Sequence, residues 1–265
     1  MTEWRFIDSG PCSAFLNMAI DETIAQQVRE GKAPPTLRVY EWAIPSVSIG
    51  CFQRVASVDL GYCEKKGIPV VRRITGGRGI LHSHELTYGF AAPTTHGPFS
   101  KGLLDSYRKI SDALCRSISM LGLSPEQKAV SDRSGGTDRA RNPLCFSSAS
   151  FAEITLRGRK VVGSAQKRWG DGLLQQGSIP YSIDEEAIKR VFTIDRPVSL
   201  REKMIGLREV VPALDPAFLK EAIRVSCEEA FRVKFIRTAL SGEEYRIALE
   251  LESRRYRSPE WNFQR

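Results

Sequence analysis

The chain predicts an α+β fold: a central mixed, mainly antiparallel sheet flanked by helices. Three observations carry this. Short alternating runs of strand length follow one another closely enough to pair as hairpins, helical periodicity concentrates toward the C-terminal third, and no internal repeat or linker divides the chain. The whole of 1–265 therefore reads as one domain, with a core over about 30–240 and a helical C-terminal extension over about 184–265 packed on it.

The residues Trp4 to Ile7 read as a strand. Ser13 then caps a helix with Phe15, Met18 and Ala19 on one face, which runs to about Gly31 and is stopped by Pro34-Pro35. Residues 36–42 alternate, with Leu37 and Val39 on one side and Arg38 and Tyr40 on the other, as a strand does. Residues 47–50 read as another strand, 57–66 as a short helix closed by Gly67, and 69–72 as a buried strand leading into a glycine loop. Residues 86–90 form the next strand. Leu103, Tyr107, Ile110, Leu114, Ile118 and Leu121 recur at spacings of three and four, so 102–121 is a helix, ended by Gly122.

A polar loop over 131–143 precedes a hairpin: strand 151–156, turn 157–159, and a returning strand from Lys160. Residues 173–179 rejoin the sheet. Helices follow over 185–192, from Asp215-Pro216 to Phe231, and from Ser241 to about Tyr256; Ser241 and Glu244 have capping-box spacing. Residues 233–236 add one more strand.

Composition narrows the class. Apolar residues make up 42% and charged residues 26% of the chain, as in ordinary globular proteins. No apolar run approaches the ~20 residues that span a bilayer, and the N-terminus has no signal-peptide core, which predicts a cytoplasmic protein. Six cysteines lie far apart without a Cys-x-x-Cys pair, and there are three histidines, so neither a disulfide scaffold nor a metal centre is expected. The net charge of +8 is scattered, with no long basic tail, which favours an acidic protein partner over nucleic acid.

Two constellations carry chemistry. The first is the loop Arg72-Arg73-Ile74-Thr75-Gly76-Gly77-Arg78-Gly79, followed by His82. Consecutive glycines let backbone N–H groups converge on an oxyanion or lie along a slender ligand. The loop lacks both the phosphate-binding Gly-Lys-Ser/Thr ending and the dinucleotide spacing, and the alternative is a tight turn between strands. Flanking Arg72, Arg73 and Arg78 suit a carboxylate, phosphate or thioester, and His82 either orients a group in the site or is a satisfied structural residue beside a strand.

The second runs from Cys145 to Gln166. A free Cys has a pKa of about 8.5, and a nearby ammonium makes it a nucleophilic thiolate. The hairpin folds Lys160 back toward the residues before its first strand, where Cys145 sits, and Glu153 lies on that strand. The alternative is a buried structural Cys and a surface Lys. Ser147, Ser148 and Ser150 lack a nucleophile-elbow setting and read as loop-shaping hydrogen bonders. Gly163, Ser164 and Ala165, echoed by Gly177 and Ser178, suggest a narrow apolar slot.

These motifs, in this order, resemble the biotin/lipoate protein ligase superfamily, whose lipoate branch carries an arginine-led glycine loop ending in His and then Lys-x-x-Gly-Ser-Ala. Here the matching residues are Arg72 to His82 and Lys160 to Ala165. The opening Trp4 to Gly10, the stretch Glu85-Leu86-Thr87-Tyr88, the pair Cys145-Phe146 and the ending Glu260-Trp261-Asn262-Phe263 look most like the octanoyltransferases of that branch.

The resemblance implies a fold of the ligase catalytic-domain type. It also implies octanoyl transfer from acyl carrier protein to a lipoyl-domain lysine, typically of the glycine-cleavage H protein, without a cofactor. Cys145 would hold the acyl group and Lys160 would activate the thiol. Arg73, Thr75, Gly76, Gly77, Arg78, Gly79, His82, Gly163, Ser164, Ala165 and Gly177 would line the acyl site. The expected state is a monomer that binds neither nucleic acid nor membrane.

Two departures stand out: Gln175-Gln176-Gly177-Ser178 where the family commonly has Gln-His-Gly-Ser, and Ser147-Ser148-Ala149 where Asp and Pro often follow Cys-Phe. Two other functions compete: an ATP-dependent lipoate–protein ligase, and an inactive module that binds lipoyl domains.

Overall fold

The computed structural model describes residues 2–128, 153–193 and 199–265. Cys145, the serines at 147, 148 and 150, and the 131–143 loop lie outside the described residues.

The chain opens with β1 (Thr2–Cys12), α1 (Ala14–Arg29), β2 (Thr36–Trp42) and β3 (Ser46–Ile49). Next come α2 (Leu60–Lys65), β4 (Val70–Arg72), β5 (Ile80–His82), β6 (Glu85–Pro93), α3 (Leu103–Ser119) and β7 (Glu126–Lys128). The hairpin strands are β8 (Glu153–Leu156), β9 (Arg159–Arg168) and β10 (Gly172–Pro180). The C-terminal third holds α4 (Glu185–Val191), α5 (Leu200–Lys203), α6 (Pro216–Phe231), β11 (Val233–Arg237), α7 (Gly242–Leu251) and α8 (Pro259–Asn262).

Eight strands form one mixed sheet in the order β11-β1-β2-β6-β10-β9-β8-β7. Strand β1 runs parallel to both its neighbours, and the remaining pairings are antiparallel. A smaller sheet, β4-β3-β5, carries the glycine loop between β4 and β5. The α+β expectation holds.

Alternation sorts the strands into two cores. Leu37 and Val39 of β2, with Tyr88 and Phe90 of β6, pack against Ile110, Leu114 and Ile118 of α3 and Leu219 and Ile223 of α6. Tyr40 and Trp42 face the other way, onto Met18, Ile20 and Ile24 of α1. The small sheet has its own core, in which Val47, Ile49 and Ile80 meet Cys63 of α2 and Val191 at the end of α4.

Several elements differ from the sequence reading for local reasons. The 57–66 helix starts later, because Asp59 caps α2 by accepting from the Tyr62 N–H. The hairpin turn is two residues, since Arg157 and Gly158 both take positive φ (51° and 73°) and Arg159 already pairs with Leu156. Strand β1 extends well past residue 7, to Cys12. The last long helix ends at Leu251 and widens into a π-type turn over Glu252–Tyr256. Leu103, expected on the buried stripe of α3, is exposed at the helix start. The caps Ser13, Asp215 and Ser241 act where the sequence places them.

Helix α7 is fastened to β1 by Glu244, which accepts two hydrogen bonds from Arg5 at 2.7 and 2.9 Å and also closes the capping box with Ser241. Burial pushes the Glu244 carboxyl up, but the Arg5 and Ser241 hydrogen bonds outweigh it and hold the group below its usual range. A depressed carboxylate stabilises the fold above the unfolded-state pKa of about 4.3, and that contribution is lost as pH falls through the lower folded value. Glu244→Gln is expected to cost about 1–3 kcal/mol near neutral pH. In urea titrations across acidic pH, the gap between the two proteins should close as pH falls.

Candidate active site

The glycine loop is clamped from within. Arg73 Nη2 donates to the carbonyls of Gly76 (2.8 Å) and Arg78 (2.7 Å), and Nη1 donates to the Ser48 carbonyl (3.1 Å) and hydroxyl (3.0 Å). Gly77 has φ +85°, and a Cβ there would stand 2.9 Å from Arg73 Nη2 and 3.3 Å from the Ala165 methyl. The loop thus sits tightly on β9. Arg72, read as a possible ligand group, turns inward instead, donating to the carbonyls of Gly50 (2.9 Å), Gln53 (2.7 Å) and Asn262 (3.1 Å).

Beside the loop lies a cavity of about 320 Å³, mouth included, bounded by Met18 of α1, Tyr40 and Trp42 of β2, Ile80 of β5, and strands β9 and β10. Of the residues singled out in the sequence, Arg73, His82, Gly163, Ser164, Ala165 and Gly177 border it. Gly79 borders a neighbouring cleft of about 480 Å³, whose wall includes Glu85, Ser178 and Met204. Gly177 lacks a side chain for a specific reason: a Cβ would lie 2.3 Å from the Tyr88 ring. The Tyr88 hydroxyl accepts from Gln175 (2.9 Å) and meets Ser164 (2.8 Å), and burial pushes the phenol up to about 12.

Two buried polar networks support the wall. In the first, Asp21 accepts from Arg38 (2.7 Å), Tyr40 (2.8 Å) and Gln176 (2.7 Å). Gln176 in turn accepts from Thr75 of the glycine loop at 2.8 Å. Gln176, the departure noted in the sequence, thus ties the loop to α1 through the two ends of its amide. In the second, Glu85 takes Nδ1 of His82 (2.6 Å), Thr87 (2.6 Å) and Ser178 (2.6 Å), while His82 stacks on Trp42 with ring centroids 3.9 Å apart.

Lys160 is almost fully buried, with its Nζ 2.7 Å from Glu153 Oε1 of the partner hairpin strand. Its carbonyl accepts from Ile205 (3.0 Å), which ties β9 to the segment after α5. The relation of Lys160 to Cys145 falls outside the described residues.

A family model described as the lipoyl protein ligase A/B catalytic domain matches residues 13–228. The chain belongs to this family. It is 38% identical to the octanoyltransferase LipM of Carboxydothermus hydrogenoformans, with 99% of both chains covered. It is 34% identical to the octanoyltransferase LipM of Anoxybacillus flavithermus, covering 99% of this chain and 98% of that one. Among solved structures, protein Ta0514 of T. acidophilum, a putative lipoate protein ligase with bound lipoic acid, aligns with a TM-score of 0.81 at 23% identity over 100% of both chains. A lipoate-protein ligase A bound with ATP aligns at 0.83 and 23% identity over 99% of both. The lipoate-ligase fold is therefore shared.

Sequence reasoning missed Asp21, Trp42, Ser48 and Glu85 as parts of the site. A signal existed for Ser48, a hydroxyl flanked by Val47 and Ile49 in a short buried strand directly before Gly50. Asp21→Ala is expected to destabilise the protein by about 3–5 kcal/mol, because it leaves the Arg38 guanidinium buried without its carboxylate. Denaturant midpoints of the two proteins check this.

Proposed function

We propose that this chain is an octanoyltransferase that moves octanoyl from acyl carrier protein to the ε-amine of a lipoyl-domain lysine, as on the glycine-cleavage H protein. The observation that carries the reading is identity of 31–38% over essentially the whole chain to proteins named octanoyltransferase LipM. A largely apolar cavity lined by Gly163, Ser164 and Ala165 of β9 supports it.

In this reading the Cys145 thiolate attacks the thioester carbonyl, the C–S bond to the carrier breaks, and the carrier leaves as a thiol after taking a proton. The acyl group then rests on Cys145 as a thioester. The lysine amine attacks the same carbonyl carbon, loses a proton, and displaces Cys145 to form the amide. Thioester aminolysis runs downhill, so no nucleotide enters. Lys160 supplies the positive charge that favours the thiolate, and Glu153 holds its ammonium in place. Both protein substrates are acidic in this scheme, which suits a surface with a net charge of +8. The whole of 1–265 acts as one catalytic domain, a monomer of the cytoplasm; no helix among the described residues is long and apolar enough to cross a membrane.

A second reading, ATP-dependent ligation of free lipoate, draws on the likeness to the ATP-bound ligase fold. The deciding experiment incubates the chain with octanoyl-carrier protein and an apo-lipoyl domain, without nucleotide. Octanoylation of the acceptor lysine is expected, with a trapped acyl adduct on Cys145 and loss of both in Cys145→Ala. Dependence on ATP and free lipoate would put the ligase ahead, and binding of the lipoyl domain with no adduct would leave only a binding module.

Lys160→Ala alone strands a buried Glu153 carboxylate, so its role is tested in a Glu153→Gln background. There the alkylation rate of Cys145 near neutral pH should fall roughly tenfold, as expected if the thiol loses the cation that favours its thiolate. Unchanged kinetics would remove Lys160 from the mechanism.

A further inference from the structure

The acyl transfer described above leaves unused a second set of nucleophile, base and orienting carboxylate in the cavity wall. Ser48 Oγ lies 2.7 Å from Nε2 of His82, and Nδ1 of the same ring lies 2.6 Å from Glu85 Oε1. The three come from β3, β5 and the start of β6, and all are buried. Ser48 and His82 both face the cavity.

The hydrogens can be placed one by one. A carboxylate only accepts, and Glu85 already takes the hydroxyls of Thr87 and Ser178, so His82 carries its proton on Nδ1. The Thr87 hydroxyl is committed to Glu85 because it accepts from Trp42 Nε1 at 2.8 Å. On the other side, Arg73 Nη1 donates to Ser48 Oγ at 3.0 Å and cannot accept. The Ser48 hydrogen therefore points at Nε2 of a ring whose lone pair is open to it. Trp42, stacked on the imidazole, and Glu85 fix the ring so that Nε2 stays on the hydroxyl. These are the contacts that activate a serine nucleophile: hydroxyl on base, and base on an orienting carboxylate. The adjoining walls, from Met18, Tyr40, Ile80 and Gly163 to Ala165, are narrow and largely carbon, as an acyl chain requires.

We propose that Ser48, His82 and Glu85 form a second nucleophilic centre that hydrolyses medium-chain acyl thioesters and esters without Cys145. The Ser48 oxygen bonds to the acyl carbonyl carbon while His82 Nε2 takes the hydroxyl proton. The C–S or C–O bond of the donor then breaks, and the leaving thiol or alcohol receives that proton. Water attacks the resulting serine ester, His82 again takes and returns the proton, and the carboxylic acid departs. The Arg73 guanidinium, which donates to Ser48 Oγ, favours release of the hydroxyl proton to His82. Such an activity would clear a misloaded or stalled acyl group at the expense of transfer.

The choice of acyl ligand rests on the acyl-cavity reading above, so the test separates the two. Full-length Cys145→Ala protein is treated with an octyl fluorophosphonate and, separately, with p-nitrophenyl octanoate. The expected result is a phosphonyl adduct mapped by peptide mass to Ser48. Steady release of nitrophenol is also expected, falling about 100-fold or more when Ser48→Ala is added, the size of general-base assistance to a serine. Should that double variant fail to fold, the site of the adduct in the single variant still decides.

No adduct on Ser48, or an adduct elsewhere with hydrolysis unaffected by Ser48→Ala, overturns the triad when the unsubstituted protein still transfers octanoyl. An unsubstituted protein that transfers nothing while Ser48 is labelled overturns the transferase reading and upholds the triad.

Discussion

Asp21 sits in a place with almost no water, and its two oxygens join three elements of the molecule, with a fourth reached through Gln176. It is presented by α1, takes Arg38 and Tyr40 from β2 and Gln176 from β10, and through Gln176 reaches Thr75 in the glycine loop. Burying a carboxylate is costly unless its lone pairs are filled, and here a guanidinium, a phenol and an amide fill them. The backbone is adapted to the same end. A side chain on Gly89 would come within 2.8 Å of the Asp21 carboxylate, so β6 passes close only because that residue is glycine. Without this joint, the helix, the sheet and the loop that together enclose the cavity would have no fixed relation at its floor.

The loop has a second anchorage at the opposite end of the chain. Arg72 gives its guanidinium to the carbonyls of Gly50, Gln53 and Asn262, its own N–H to the Asn262 side chain (2.8 Å), and its carbonyl accepts from the Trp261 indole (2.8 Å). Arg73, one residue on, faces the other side and spans the loop's carbonyls. Adjacent residues of an extended segment point to opposite faces, so two neighbouring arginines bolt the loop from two directions. The C-terminal residues thus take part in holding the site although they lie nearly 190 positions from it in sequence.

What could be read in the sequence follows from what is local. The alternation in β2, the caps of α1, α6 and α7, and the three-and-four spacing in α3 each depend on residues within a turn or two of one another, and they came through. Strands β5 and β7, three residues each, are too short to show a period, and they were missed. The glycine loop, His82 and the small residues of β9 were found because glycine runs and motif order are visible in one dimension. Their partners were not. Asp21 and Gln176 are 155 positions apart, and Glu85 and Ser178 are 93 apart, so only the sheet register brings them together. Arg72 shows the same limit from the other side, since charge beside a glycine loop looks like a ligand group until a distant carbonyl claims it.

The cavity wall combines these facts into a selection rule. Many of its residues are polar by name: Tyr40, Trp42, Thr87, Gln176 and Ser178 all border it. Yet the Tyr40 hydroxyl is given to Asp21, the Trp42 N–H to Thr87, the Thr87 and Ser178 hydroxyls to Glu85, and the Gln176 amide to Asp21 and Thr75. With these donors engaged behind the wall, rings and methylene groups form most of what a ligand meets. A hydroxylated or charged chain entering the slot would lose its hydration and find few partners in exchange, whereas a saturated chain gives up nothing and gains contact along its length. The polar networks therefore make the cavity apolar by turning inward, and the same inward commitment leaves the Ser48 hydroxyl, aimed at His82, as the reactive exception on that wall.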